Sequence, residues 1–143
     1  MKTIKDVLRD KGRVVWTIDG NASVLDALRL MAEKEIGALM VIVSGRLAGV
    51  MSERDYARKV VLHGKSSKDT PVCEIMTRKV LYVKPEQTVE ECMALMTEKH
   101  VRHMPVLEGD QMIGVVSIGD IVKSVISEQQ FLISHLENYI RGK

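Results

Sequence analysis

Apolar and polar positions follow one another in short blocks along the chain, and two kinds of block recur. Val24, Ala27, Leu28 and Met31 stand at i, i+3, i+4 and i+7, and so do Val89, Cys92, Met93 and Met96. That spacing predicts two helices, each with one apolar stripe. Each stripe opens on a Ser/Thr-x-x-acidic pattern, Ser23-Val-Leu-Asp26 and Thr88-Val-Glu-Glu91, the signature of a capped N-terminus. Short β-branched or aromatic runs, Val14–Ile18 and Val80–Val83, lie just before and end in Asp-Gly-Asn and Lys-Pro-Glu turn chemistry. After each helix come two closely joined runs. Ala38–Val43 and Arg46–Met51 flank Ser44-Gly45, while Met104–Leu107 and Gln111–Val116 flank Gly109-Asp110; both predict hairpins. A further helix begins near Ser52 and again near Ser117. The unit is β-α-β-β-α, used twice.

The second use is a copy of the first. Displaced by 65 positions, Ser23–Val61 aligns with Thr88–Ile126 without a gap. Identical pairs include Leu30/Leu95, Met31/Met96, Gly49/Gly114, Ser52/Ser117 and Asp55/Asp120. Upstream, Ile4-Lys-Asp-Val-Leu8 matches Val72-Cys-Glu-Ile-Met76 in character. Residues 64–71 are polar and closed by Pro71, which reads as a linker. The organisation expected is therefore a first repeat over 1–63, the linker 64–71, a second repeat over 72–127, and a helical extension over 128–143.

Composition narrows the class. The chain has 143 residues, enough to bury a substantial core. Twenty-one basic and nineteen acidic residues are interspersed and leave a net charge of +2, unlike the basic stripe of a nucleic-acid binder. The longest apolar run, Ile36–Val43, falls far short of the ~20 residues of a membrane helix. Met1–Asp6 leads into no apolar segment, so no signal peptide is expected. Cys73 and Cys92 have no metal or redox spacing, which fits a reducing, cytoplasmic setting. Cys92 and the methionines fall at core-facing positions. His63, His100 and His135 are scattered, so no metal site is expected.

Chemistry concentrates where each hairpin runs into its helix. Gly49-Val-Met-Ser52-Glu-Arg54-Asp55 and Gly114-Val-Val-Ser117-Ile-Gly119-Asp120 occupy equivalent places. Ser-x-x-Asp is itself a capping box, so both pairs can simply satisfy free amides. The same helix start also presents open N–H groups and a positive dipole end suited to phosphate, and a nearby aspartate can accept from both ribose hydroxyls. The small residues of Ile36-Gly37-Ala38 let a ligand approach the backbone. Val101-Arg102-His103-Met104-Pro105 stands at the matching point. Arg54 and Arg58 add the planar cation that best recognises phosphate.

These doubled motifs make the chain similar to a CBS-domain pair, the Bateman module, from about Ile4 to Ile126. The resemblance implies an α+β fold in which two repeats pack sheet to sheet about a pseudo-two-fold axis. It also implies two clefts that bind adenosine-containing ligands such as AMP, ADP, ATP, NAD or S-adenosylmethionine. Carried onto this sequence, it makes Asp55 and Asp120 the ribose-holding carboxylates and sets Ser52 and Ser117 beside ribose or phosphate. Arg54, with Arg58 nearby, becomes the phosphate-side neighbour that Gly119 replaces in the second copy. Ile36, Gly37 and Ala38, and equivalently Val101, Arg102 and His103 followed by Met104-Pro105, wrap the adenine. Thr17-Ile18 and Tyr82-Val83 close the pockets. Met40 stands where the second copy has Pro105, and Gly119 has no side chain, so the two clefts are expected to differ.

From Ile118 to Ile140 only Gly119 interrupts good helical sequence. Ile121, Val122, Val125, Gln129, Leu132, Leu136 and Ile140 keep helical spacing beyond what the repeat needs. A second subunit is the expected cover, making a homodimer. No nucleophile–base pair, Walker-type loop or metal cluster suggests an enzyme or a catalytic cofactor. His103 is the sole candidate general base. The expectation is a regulatory nucleotide sensor that reports to a regulated protein. The alternative is a structural dimerisation module whose Ser/Asp pairs are only caps.

Overall fold

The computed structural model describes residues 1–141. Among them are six α-helices and five strands in two small sheets. In chain order these are α1 (Ile4–Lys11), β1 (Thr17–Asp19), α2 (Val24–Lys34), β2 (Ala38–Val43), β3 (Arg46–Ser52) and α3 (Glu53–Tyr56), which continues into a π-helical turn over Ala57–Val61. There follow α4 (Val72–Ile75), α5 (Val89–Lys99), β4 (His103–Glu108), β5 (Gln111–Ser117) and α6 (Ile118–Ile140). They form two compact units, one of residues 15–81 and one of residues 1–14 with 82–141.

In the 15–81 unit the sheet runs β1-β2-β3, with β1 parallel to β2 and β2 antiparallel to β3. The α2 stripe of Val24, Ala27 and Met31 packs with Leu39 and Val41 of β2, Met51 of β3 and Val72, Ile75 and Met76 around α4. In the other unit β4 pairs antiparallel with β5, and Val89, Cys92, Met96, Met104, Val106, Val116 and Ile121 are buried. The hairpins have two-residue connections and the same bulge, after Val41 and after Val106. Their turns differ. Ser44 and Gly45 both take positive φ, as a type I′ turn requires, whereas only Gly109 does so in the second hairpin.

The expected strand at Val80–Val83 is corrected by the structure. It shrinks to a single parallel bridge, Val83 to Val106. The cause is proline. In the first repeat the ladder uses donors on both sides of Ile18, and Gly20 N–H reaches Ile42 O at 3.0 Å. The matching donor position in the second repeat is Pro85, and the position matching Met40 is Pro105, so neither can donate an N–H. Only Val83 N to Pro105 O and Leu107 N to Val83 O remain. The capping boxes expected at Ser23 and Thr88 are also one-sided, since each side chain accepts the helix amide without the reciprocal backbone bond.

The segment upstream of each repeat belongs to the unit of the other. α1 packs in the unit of the second repeat, and α4 in that of the first. The bonds are duplicated: Lys5 N to Pro85 O and Val89 N to Lys2 O on one side, Cys73 N to Gly20 O and Val24 N to Thr70 O on the other. Gly49 and Gly114 make room for this packing. A Cβ on Gly49 would lie 2.7 Å from Met76 Sδ, and one on Gly114 would lie 2.7 Å from Leu8 Cδ2.

Beyond Ile121, α6 leaves its unit's core. Ile126, Phe131, Leu132, Ile133, Leu136, Tyr139 and Ile140 are all more than half exposed. Among the described residues no helix is long and apolar enough to cross a membrane.

Candidate functional site

Each repeat carries one constellation, built at the place where its hairpin feeds a helix. Pairing of β2 with β3 sets Ala38 opposite Ser52, and pairing of β4 with β5 sets His103 opposite Ser117. The loop before each hairpin then caps the helix after it. Gly37 O accepts from Glu53 N–H at 3.1 Å, and Arg102 O accepts from Ile118 N–H at 2.8 Å. Residues 36–38 thus sit beside 52–55, and 101–103 beside 117–120. Thr17 and Ile18 join the first group through β1, in register with Met40 and Val41. Val83 reaches the second through its bridge to Val106.

Both Ser/Asp pairs close capping boxes. Ser52 N–H donates to Asp55 Oδ2 at 2.9 Å while Asp55 N–H donates to Ser52 Oγ at 3.1 Å. Ser117 and Asp120 repeat this at 2.9 and 3.1 Å. Each aspartate also faces an ammonium. Asp55 Oδ1 lies 3.1 Å from Lys59 Nζ and accepts from the Thr77 hydroxyl at 3.1 Å. Asp120 Oδ2 lies 2.6 Å from Lys11 Nζ. Each lysine is anchored on a backbone carbonyl as well: Lys59 on Ile75 O and Lys11 on Val115 O, both at 2.9 Å. Burial pushes the Asp120 carboxyl up, but the hydrogen bond from Lys11 and the Ser117 amide outweigh it, and its pKa falls below the ordinary value.

The remaining candidates divide by exposure. Thr17, Arg54, Arg58, Tyr82, Arg102 and Gly119 are exposed, and Ile18, Ile36, Gly37, Ser52, Val101, His103, Ser117 and Asp120 are partly so. Asp55 and Ala38 are nearly covered, while Val83, Met104 and Pro105 are buried. Beside Ile36 and Gly37 a cavity of about 520 Å³ opens, walled by Leu28, Met31, Glu53 and Tyr56.

Sequence reasoning missed the partners of the two aspartates. Lys59 was within reach, because an acid and a base four apart on a helix share a face. Thr77 and Lys11 are 22 and 109 positions away from their aspartates, and no spacing rule connects them.

The family model described as "CBS domain" matches residues 3–62 and 72–127. The CBS domain-containing protein CBSX3, mitochondrial, of Arabidopsis thaliana is 41% identical, over 98% of this chain and 72% of that protein. Among solved structures, a protein with CBS domains from Burkholderia ambifaria is 56% identical with a TM-score of 0.86, over 90% of this chain and 96% of the other. A hexameric CBS-CP12 protein from bloom-forming cyanobacteria is 31% identical with a TM-score of 0.76, over 85% and 70%. Two matches of the family model across most of the chain, on two units that repeat one hydrogen-bonding scheme, place this chain in the family of CBS-domain proteins.

Proposed function

We propose that this protein is a regulatory module that binds an adenine nucleotide at the Ser52–Asp55 and Ser117–Asp120 helix starts. CBS domains are regulatory ligand-binding modules, and adenosine-containing molecules are their general ligands. Proteins of this kind are generally regulatory rather than catalytic. The observation that carries the reading is the repeated juxtaposition of a Ser-x-x-Asp helix start with the loop before the hairpin, tied by Gly37 O–Glu53 N and Arg102 O–Ile118 N. In this reading Asp55 and Asp120 accept from ribose hydroxyls. Arg54 and Arg58 attract phosphate in the first repeat. The segments 36–38 and 101–105 flank the base, with Thr17-Ile18 and Tyr82-Val83 at the margins. AMP, ADP, ATP, NAD and S-adenosylmethionine all present the groups this requires.

Calorimetric titration of the wild type and of Asp55→Asn/Asp120→Asn with AMP, ATP, NAD and S-adenosylmethionine tests it. The expected result is micromolar binding of at least one ligand, abolished in the double variant. Wild-type protein that takes none below millimolar overturns the proposal. A second reading has its own support: both aspartates are already satisfied by their capping boxes and lysines, as in a purely structural module. Purified protein that carries a 260 nm nucleotide band would exclude that reading.

A homodimer through α6 belongs to the same proposal. Val122, Gln129 and Leu136 alternate with Val125, Leu132 and Tyr139 at three- and four-residue spacing, the seam that another helix covers. Its cytoplasmic placement is proposed from the isolated cysteines; the Arabidopsis relative bears the word mitochondrial in its own name.

A further inference from the structure

Gly119 leaves the second repeat without the cation that Arg54 offers the first. The structure brings cations to that repeat from another direction. A cavity of about 220 Å³ lies in the groove of α1 and α6, lined by Lys2 and Lys11 from the N-terminal segment and by Asp120, Lys123, Ser124 and Ser127. The last four stand at i, i+3, i+4 and i+7, so they share one face of α6. From Asp120 to Ser127 that face runs roughly 10 Å at 1.5 Å per residue.

The charges in the groove do not cancel. Lys11 sits 2.6 Å from Asp120, and Lys2 lies 4.0 Å from Asp10, which also lines the cavity. Lys123, exposed to solvent, has no hydrogen-bond or ion-pair partner among the described residues. Beside it, Ser124 Oγ is buried and makes no hydrogen bond. Buried hydroxyls are otherwise almost always paired. Three ammonium groups facing two carboxylates, with serine hydroxyls beside them, favour a group with negative charge and several acceptor oxygens. A carboxylate offers two acceptor atoms, whereas a phosphate offers three or more, enough for Lys123 and Ser127 and for Ser124 once its side chain turns toward the groove.

We infer that the groove of α1 and α6 is the phosphate-binding arm of the second repeat's site, taking the phosphate chain of a nucleotide whose ribose Asp120 holds. This rests on the ribose role proposed above for Asp120. When ribose hydroxyls donate to Asp120, Lys11 is released from the carboxylate and its ammonium is free to turn to the first phosphate. Lys123, Ser124 and Ser127 take the phosphates beyond. The N-terminal segment thereby completes the site of the repeat with which it packs, and the side chain absent at Gly119 is replaced by lysines from α1 and from the next turn of α6.

Calorimetry at low ionic strength with three probes, pyrophosphate, adenosine and ATP, tests the groove. It uses the wild type and Lys123→Ala, with far-UV circular dichroism to confirm that the variant folds. The expected result is that wild type binds pyrophosphate and that Lys123→Ala weakens both pyrophosphate and ATP by about tenfold, as loss of a charge-assisted contact implies, while adenosine binds both proteins alike. If adenosine fails to bind but pyrophosphate binds in a Lys123-dependent manner, the nucleotide reading falls and the groove stands as an oxyanion site. If wild type takes no pyrophosphate, or Lys123→Ala binds pyrophosphate and ATP like wild type, the groove is overturned, and adenosine binding by itself then upholds the ribose site.

Discussion

Replacing Gly49 with alanine puts a methyl carbon 2.7 Å from Met76 Sδ and 2.8 Å from the backbone oxygen of Thr77. Met76 can turn aside, but the Thr77 carbonyl cannot. It accepts Val50 N–H at 3.0 Å, and Thr77 N–H donates to Val50 O at 2.8 Å, so moving it strains a two-bond bridge. Overpacking a core typically costs ~1–3 kcal/mol, and a weakened hydrogen bond adds about 1 kcal/mol. Gly49→Ala should therefore destabilise by roughly 2–4 kcal/mol. Gly114→Ala makes a geometrically similar clash of different quality. All three of its nearest atoms belong to the Leu8 side chain, which can change rotamer, so the cost should be nearer ~1 kcal/mol, the lower end of the overpacking range. Urea unfolding measures both. Trp16, the single tryptophan, reports the 15–81 unit by fluorescence, and far-UV circular dichroism reports the whole chain. With m near ~1–3 kcal/mol per molar urea, Gly49→Ala should lower the midpoint by about 1–2 M and Gly114→Ala by visibly less. A Gly49→Ala protein as stable as wild type, or a Gly114→Ala protein that suffers more, refutes the packing argument.

Other expectations follow from single contacts. The Asp120 pKa is depressed in the folded protein, so its stabilising pairing is complete at neutral pH and fades as pH falls through that lowered value. The stability gap between wild type and Lys11→Met, taken from urea midpoints, should be widest at pH 7 and narrow below about pH 4; a gap that does not vary with pH contradicts the pairing. Burial pushes the Cys92 thiol up to about 11, so at pH 8 a thiol reagent should label the partly exposed Cys73 first and Cys92 only on unfolding. Equal labelling rates in native protein would sink this. Leu136→Lys on the open face of α6 should shift light-scattering mass from dimer to monomer while leaving nucleotide titrations unchanged, and an unaltered mass would place the dimer contact elsewhere.

What was legible in the sequence is what short spacing encodes. The α2 and α5 stripes, the hairpins, the capping boxes at Ser52 and Ser117 and the span of α6 each depend on residues within about one turn or one hairpin of each other. Duplication then doubled each signal. Motif geometry was legible for the same reason: residues 36–38 and 52–55 are joined by one hairpin, so any correct register brings them together.

Tertiary structure decided what depends on distant neighbours. Whether Val80–Val83 could pair as a strand rested on Pro105 and Pro85 falling at the donor positions on either side of Val83 N and Leu107 N in one ladder. Both prolines are plain in the sequence, but their shared consequence exists only once the register is known. The exchange of α1 and α4 between the repeats had no local mark, although Gly49 and Gly114 are the space it requires. Asp120 shows the division most clearly. Its place three residues after Ser117 made it a cap from sequence alone, whereas the lysine that neutralises it arrives from 109 positions away, because α1 packs beside α6. Local spacing determined which groups each repeat presents; only the packing of remote segments determined which charges face them.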